Sequence, residues 1–223
     1  MATTKRVKTV KNVMDDNHII SLYMNDVLEK NAEPTNVFSF CKNNAIEESD
    51  FYAVFGSFDA VKQAVWVKFF ENAKETIEKE AAFATYSDKN KLLTLYFTLF
   101  ELLTLNRSYV LFSLEGNKEG IKNFKNLKKF RNHFKAFVVT IIESNASAKN
   151  DKVAKVTQPV FAEGAWLQFL FLLKFWMDDT SKGFEKTDVL IEKSVNTVVD
   201  LLDTKPLESL FDLGKFLWKE KMQ

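Results

Sequence analysis

Residues 36–61 read NVFSFCKNNAIEESDFYAVFGSFDAV, and the fold turns on how this stretch is spaced. Pro34 and Thr35 precede apolar residues at Val37, Phe40 and Cys41, so the spacing predicts a short helix capped by Thr35. Asn43 and Asn44 tolerate the left-handed backbone of a sharp turn, and Ala45 and Ile46 bring the chain back to the core. A second short helix is expected over 47–55. Gly56 and Ser57 stop it, and Phe58 begins a longer helical pattern through Ala60, Val61, Val65, Phe69 and Ala73. Two short helices joined by a tight turn have the layout of a helix-turn-helix.

The remainder is helical by the same criterion. Gly 6 and Pro 3 are few for 223 residues of which 46% are hydrophobic, and windows with a 3.6-residue apolar period dominate. An all-α architecture follows, with a small helix-turn-helix domain over 1–57 and a larger helical domain over 58–223. In the larger domain the periodicity predicts helices over 58–83, 89–114, 120–142, 160–178, 187–202 and 206–221, the last with Pro206 in its first turn. Residues 144–158, rich in Ser, Ala, Asn and Lys, read as a loop. Asp179 to Ser181 are expected to end one helix and Thr187 to cap the next.

Several function classes are disfavoured by composition. A net charge of +1 gives no whole-chain attraction to a polyanion. The single cysteine, Cys41, sits on the apolar face of a helix and reads as a buried inert thiol in a reducing compartment. The basic start of the chain has no apolar run behind it, so a cytoplasmic protein is expected. With only His18 and His133, far apart, and no phosphate loop, no catalytic residue, metal site or cofactor is expected. The densest apolar block, AWLQFLFLLKFWM at 165–177, falls short of the roughly 20 apolar residues of a membrane span. It reads as a helix buried on two sides, against its own domain and against a second subunit or a ligand.

The segment from Asn43 to Val61 resembles, without a gap, the head of the tetracycline-repressor (TetR) family of transcription regulators. Asn44, Ala45 and Ile46 stand at that family's turn, Phe51 and Tyr52 at its leucine-tyrosine pair, Phe55 at the following aromatic, and Ser57 with Phe58 at its serine-lysine. Ile19, Ile20, Tyr23, Val27 and Leu28 fit its first helix. A second likeness lies at Trp176 to Ser181 with Thr187 and Asp188, which is similar to a corner of TetR-type C-terminal domains and of a ubiquinone-biosynthesis protein that keeps the fold but binds lipid. The resemblance implies a two-fold homodimer through the last two long helices, an operator read by the head, and a small hydrophobic or lipid ligand in the body. Carried over by position, the DNA-facing residues are Thr35, Asn36, Lys42, Glu48, Ser49, Asp50 and Tyr52. Among the 22 Phe and four Trp, Phe97, Phe100, Phe134, Trp166 and Phe169 are candidates to line the ligand site. Arg107, His133 and Glu101 could add polar contacts there.

The charges depart from the family. Where members present Ser, Lys or Arg, Gly and Thr at the start of the recognition helix, this chain has Glu47, Glu48, Ser49 and Asp50. Residues 1–60 hold six basic and nine acidic side chains, a net of −3, whereas duplex affinity comes largely from Lys and Arg displacing counterions. Lys5, Arg6, Lys8 and Lys11 oppose this trend as a basic arm. Lys118, Lys122, Lys125, Lys128, Lys129, Arg131 and Lys135 form a second basic stripe, read as a solvated face. Two functions follow. One is a DNA-binding regulator sensing a hydrophobic ligand; the other is a TetR-fold protein that has lost DNA binding and works as a lipid-binding or interaction module.

Overall fold

The computed structural model describes the backbone of residues 15–115, 125–146 and 151–203, and the side chains of 15–114, 125–141 and 158–198. The basic arm and the helix expected over 206–221 lie outside the described residues. Every regular element among those described is helical, in the order α1 (Asp16–Lys30), α2 (Val37–Asn43), α3 (Glu48–Val54), α4 (Phe58–Glu78), α5 (Asp88–Leu105), α6 (Arg107–Glu115), α7 (Lys128–Ala146), α8 (Asp151–Asp178) and α9 (Glu185–Asp203). The all-α expectation holds among the described residues.

The chain divides into two compact units. The first takes the residues up to Trp66 together with Ser108–Leu127, the second Val67–Arg107 together with the residues from Lys128 onward. The first is therefore the three-helix head plus the opening turns of α4 and most of α6.

The head is closed by aromatic rings. Tyr23 of α1, Phe40 of α2 and Phe51 of α3 are all at most 1% exposed, and Phe58 from α4 lies among them, 5.6, 5.5 and 5.5 Å from their ring centres. Phe58, where the family carries a lysine, is thus a half-buried ring packed onto the head core. Burial of such side chains stabilises by about 1.5–3 kcal/mol each. Tyr109 of α6 adds an edge contact to Tyr23 at 6.4 Å. Lys62 ties the rim, pairing with Glu33 at 3.1 Å and Asp59 at 2.9 Å.

The cap of α2 is Asn36 rather than Thr35, its side chain accepting from the Ser39 amide at 2.8 Å. The turn also differs in detail. The left-handed residue is Ala45, at φ +54°, while Asn44 keeps φ −100° and donates its side-chain amide to the Phe40 carbonyl.

In the second unit α7 packs along α8, and α5 lies against α7 and α9. Several expectations fail here, among them the helix expected over 58–83, which ends at Glu78, and that expected over 120–142, whose described part is α-helical only from Lys128. The helix expected over 89–114 is two helices, broken at Asn106, because Asn106 leaves the helical region and turns its side-chain amide back to the Leu102 carbonyl at 2.9 Å. The loop expected over 144–158 is largely helical, since α7 reaches Ala146 and α8 begins at Asp151. Ala and Lys are good helix formers, so composition misled. Thr187 does not cap α9, which starts two residues earlier. Its amide and hydroxyl both donate to the Asp179 carboxylate instead, at 3.0 and 2.7 Å.

Helix continuity also changes the reading of the apolar block. Gln158–Asp178 runs 21 residues and has the length and apolarity of a membrane span, so shortness does not exclude one. One of its faces is core: Trp166, Phe169, Leu172, Leu173 and Trp176 are at most 4% exposed.

Candidate functional site

The head brings together most of the residues expected at an operator. Thr35, Asn36 and Lys42 are exposed at the two ends of α2. On α3, Ser49, Tyr52 and Ala53 fall at three- and four-residue steps and are exposed, while Glu48 and Asp50 are half-buried. Tyr52 is 53% exposed, its ring edge-on to Phe51 at 5.5 Å. Asn36 is committed to its cap, so only part of its side chain is free for a partner.

The sign of the charge survives folding. Lys42 stands alone against Glu47, Glu48 and Asp50, a net of −2 across the turn. Their field reaches the core: burial first, then Glu48, Glu47 and Asp50 in turn, push the Cys41 thiol above its ordinary value. A raised thiol is protonated and inert at neutral pH. The α3 cap, Glu47, makes no side-chain capping hydrogen bond, so what the acids of this turn offer the helix start is charge against its dipole.

Sequence reasoning missed Phe38. It is 60% exposed on α2, four residues before Lys42. The signal was available, since Phe38 falls outside the stripe formed by Phe40 and Cys41 that buries α2.

In the second unit the expected ligand residues separate. Phe100, Phe134, Trp166 and Phe169 are at most 4% exposed and pack ring against ring, with centres 5.3–5.8 Å apart for the pairs Trp166–Phe169, Phe134–Phe169, Phe134–Trp166 and Phe100–Phe169. Phe97 lies outside this cluster at 38% exposed. A groove of about 550 Å³ opens elsewhere, between α4 and α7, floored by Phe70 and Phe137 and rimmed by Glu71, Lys74, Glu78, Asn132, His133 and Thr140. Lys74 holds its ammonium 5.8 Å above the Phe137 ring. A smaller recess of about 310 Å³ continues past Phe137 to Phe83 and Ile141. Of the three polar candidates His133 lines the groove, Glu101 is exposed on α5, and Arg107 is occupied at the end of α8.

That end of α8 is tightly organised. Arg107 donates to the carbonyls of Trp176 and Met177 at 3.0 and 2.9 Å and is stacked between the rings of Trp176 and Phe184. Trp176 donates its indole N–H to Thr104 at 3.0 Å. Asp179 accepts from the amides and hydroxyls of Ser181 and Thr187. Burial alone would raise its pKa, but these four bonds bring it from 3.8 down to about 2. Of the basic stripe, Lys118 and Lys122 lie outside the described residues; Arg131 and Lys135 both pair with Glu163, Lys125 pairs with Asp59, and Lys128 and Lys129 are at the surface.

Residues 91–217 match the family described as Tetracyclin repressor-like, C-terminal domain. The chain belongs to the tetracycline-repressor family. No curated protein matches it. The TetR-type match covers the body from α5 onward, so the corner at Trp176 to Thr187 lies within it, whereas the head's assignment rests on its own geometry.

Proposed function

We propose that this protein is a homodimeric TetR-family regulator of the cytoplasm that senses a small hydrophobic ligand and acts through its head on something other than operator DNA. The carrying observation is the charge of the described helix-turn-helix, where one lysine stands against three carboxylates, with Phe38 and Tyr52 exposed on its two helices. Each phosphate contact in a duplex complex is made by releasing counterions to Lys or Arg, and a net-negative face forfeits that term. Residues 58–223 form the sensing and pairing domain in this reading. The groove over Phe70 and Phe137 admits the ligand, these two rings setting its apolar character, while Phe100, Phe134, Trp166 and Phe169 pack as core and Phe97 lies exposed on α5. The exposed stripe of α8 pairs with α9 of a second copy.

The competing reading is operator binding, with Thr35, Asn36, Lys42, Glu48, Ser49, Asp50 and Tyr52 facing the duplex. The intact helix-turn-helix with Tyr52 exposed on α3 favours it. Titration of the protein with the duplex upstream of its own gene, at low salt, separates the two. Absence of binding at micromolar protein is expected; micromolar binding that weakens with added salt would establish the operator reading instead.

A further inference from the structure

Phe38 and Tyr52 leave 60% and 53% of their surface exposed, one on each helix of the helix-turn-helix. The head core does not need their exposed faces, being closed by Tyr23, Phe40, Phe51 and Phe58. Large rings standing in water beside charge are the chemistry of a protein-interface anchor: a rigid apolar body with a polar rim. The surrounding charge selects the occupant. Glu48 lies four residues before Tyr52, on the same side of α3, and Glu47 stands at the start of that helix, against the single Lys42 of the turn. A duplex or an anionic lipid surface is repelled by this set. A second copy docked by the same face would bring acid onto acid, because a two-fold contact pairs each patch with itself. A cationic polypeptide with apolar side chains satisfies both the carboxylates and the rings.

Resting on the reading that the head does not take operator DNA, we infer that the α2–α3 face docks a partner-protein segment in which Lys or Arg alternates with aliphatic residues. Phe38 and Tyr52 take the aliphatic side chains, and Glu47 and Glu48 take the cations. Charge at this rim speeds encounter and fails in salt, whereas the rings set the lifetime of the complex.

The test uses the full chain and three fluorescent peptides of about a dozen residues, alternating lysine with valine, lysine with serine, and glutamate with valine. Anisotropy should show micromolar binding of the lysine–valine peptide, about tenfold weaker binding of the lysine–serine peptide, and none of the glutamate–valine peptide. Phe38→Ala with Tyr52→Ala, both at exposed positions, should lower lysine–valine affinity about tenfold without changing the thermal melt. Glu47→Gln with Glu48→Gln should lower it similarly and remove most of its salt dependence. Equal binding of all three peptides, an unaffected Phe38→Ala/Tyr52→Ala variant, or no binding of the lysine–valine peptide overturns the inference. A parallel titration with duplex keeps the two failures apart: duplex binding sinks the underlying reading, and binding of neither sinks the partner class alone.

Discussion

The guanidinium of Arg107 lies 4.4 Å from the ring centre of Trp176 and also donates to that residue's carbonyl, so one side chain both stacks on the end of α8 and caps it. The second donation, to Met177, uses the other arm of the fork. Hydrogen bonds from a charged donor contribute about 1.5–3 kcal/mol, and a partly buried cation over an indole about 0.5–2 kcal/mol. Arg107→Ala is therefore expected to cost about 2–4 kcal/mol in urea unfolding followed by Trp fluorescence. Arg107→Lys should recover less than half of it, because a point-charge ammonium cannot stack flat and serve two carbonyls together. A lysine variant as stable as the wild type would show that charge alone matters.

Asp179 makes the same corner pH-sensitive. Its folded pKa of about 2 lies below the ordinary 3.8, so it is the ionised form that folding favours. The stabilisation is fully present above about pH 5, and it drains away as pH falls through the folded value. Thermal melts should decline over that range, and Asp179→Asn should flatten the decline while lowering stability at neutral pH by about 1–3 kcal/mol through unsatisfied donors. A variant whose melts still fall as steeply in acid would assign the effect to other carboxylates.

Ala45 holds φ +54° in the turn between α2 and α3, where an L side chain is strained. Ala45→Gly should raise stability by about 0.5–1 kcal/mol, against the usual trend that glycine loosens a chain. The opposite substitution is expected at Gly183, which has φ +63° and open space where a Cβ would go. There Gly183→Ala should destabilise by about 1 kcal/mol through the backbone alone. Both changes are read by chemical denaturation, and equal signs for the two would discard the backbone argument.

The head was legible because its signals are local. Helical spacing at Phe40 and Cys41, the stop at Gly56 and Ser57, and the aromatic series through Phe58 lie within 26 residues. What escaped depends on distance along the chain. Asn106 breaks a helix in the middle of an apolar pattern that carries no Gly or Pro, and Arg107 acquires its role only from residues 69 and 70 positions later. Thr187 looked like a cap because hydroxyls usually are, but its partner Asp179 comes from the preceding corner. Phe134, Trp166 and Phe169 could not be sorted into core or ligand wall, since both demand apolar rings at helical spacing. Phe38 shows the converse: a ring off the stripe points outward, and the sequence already contained that fact.

Val160, Leu167, Phe171 and Phe175 fall at seven- and four-residue steps along α8, with Gly164 between the first two, and are 56, 60, 57 and 37% exposed. Val189 of α9 is 49% exposed. An apolar stripe of this length on a water-facing helix is costly unless covered, and a stable pair needs about 1,200–2,000 Å² of total buried surface. The wild-type chain should therefore run as a dimer in light scattering, with a melting temperature that rises with protein concentration. Leu167→Glu with Phe171→Glu should yield a helical monomer with a concentration-independent melt, because these side chains stand outside the core of their own chain. A monomeric wild type at tens of micromolar would remove the pairing role from this face; a dimeric double variant would move the interface elsewhere.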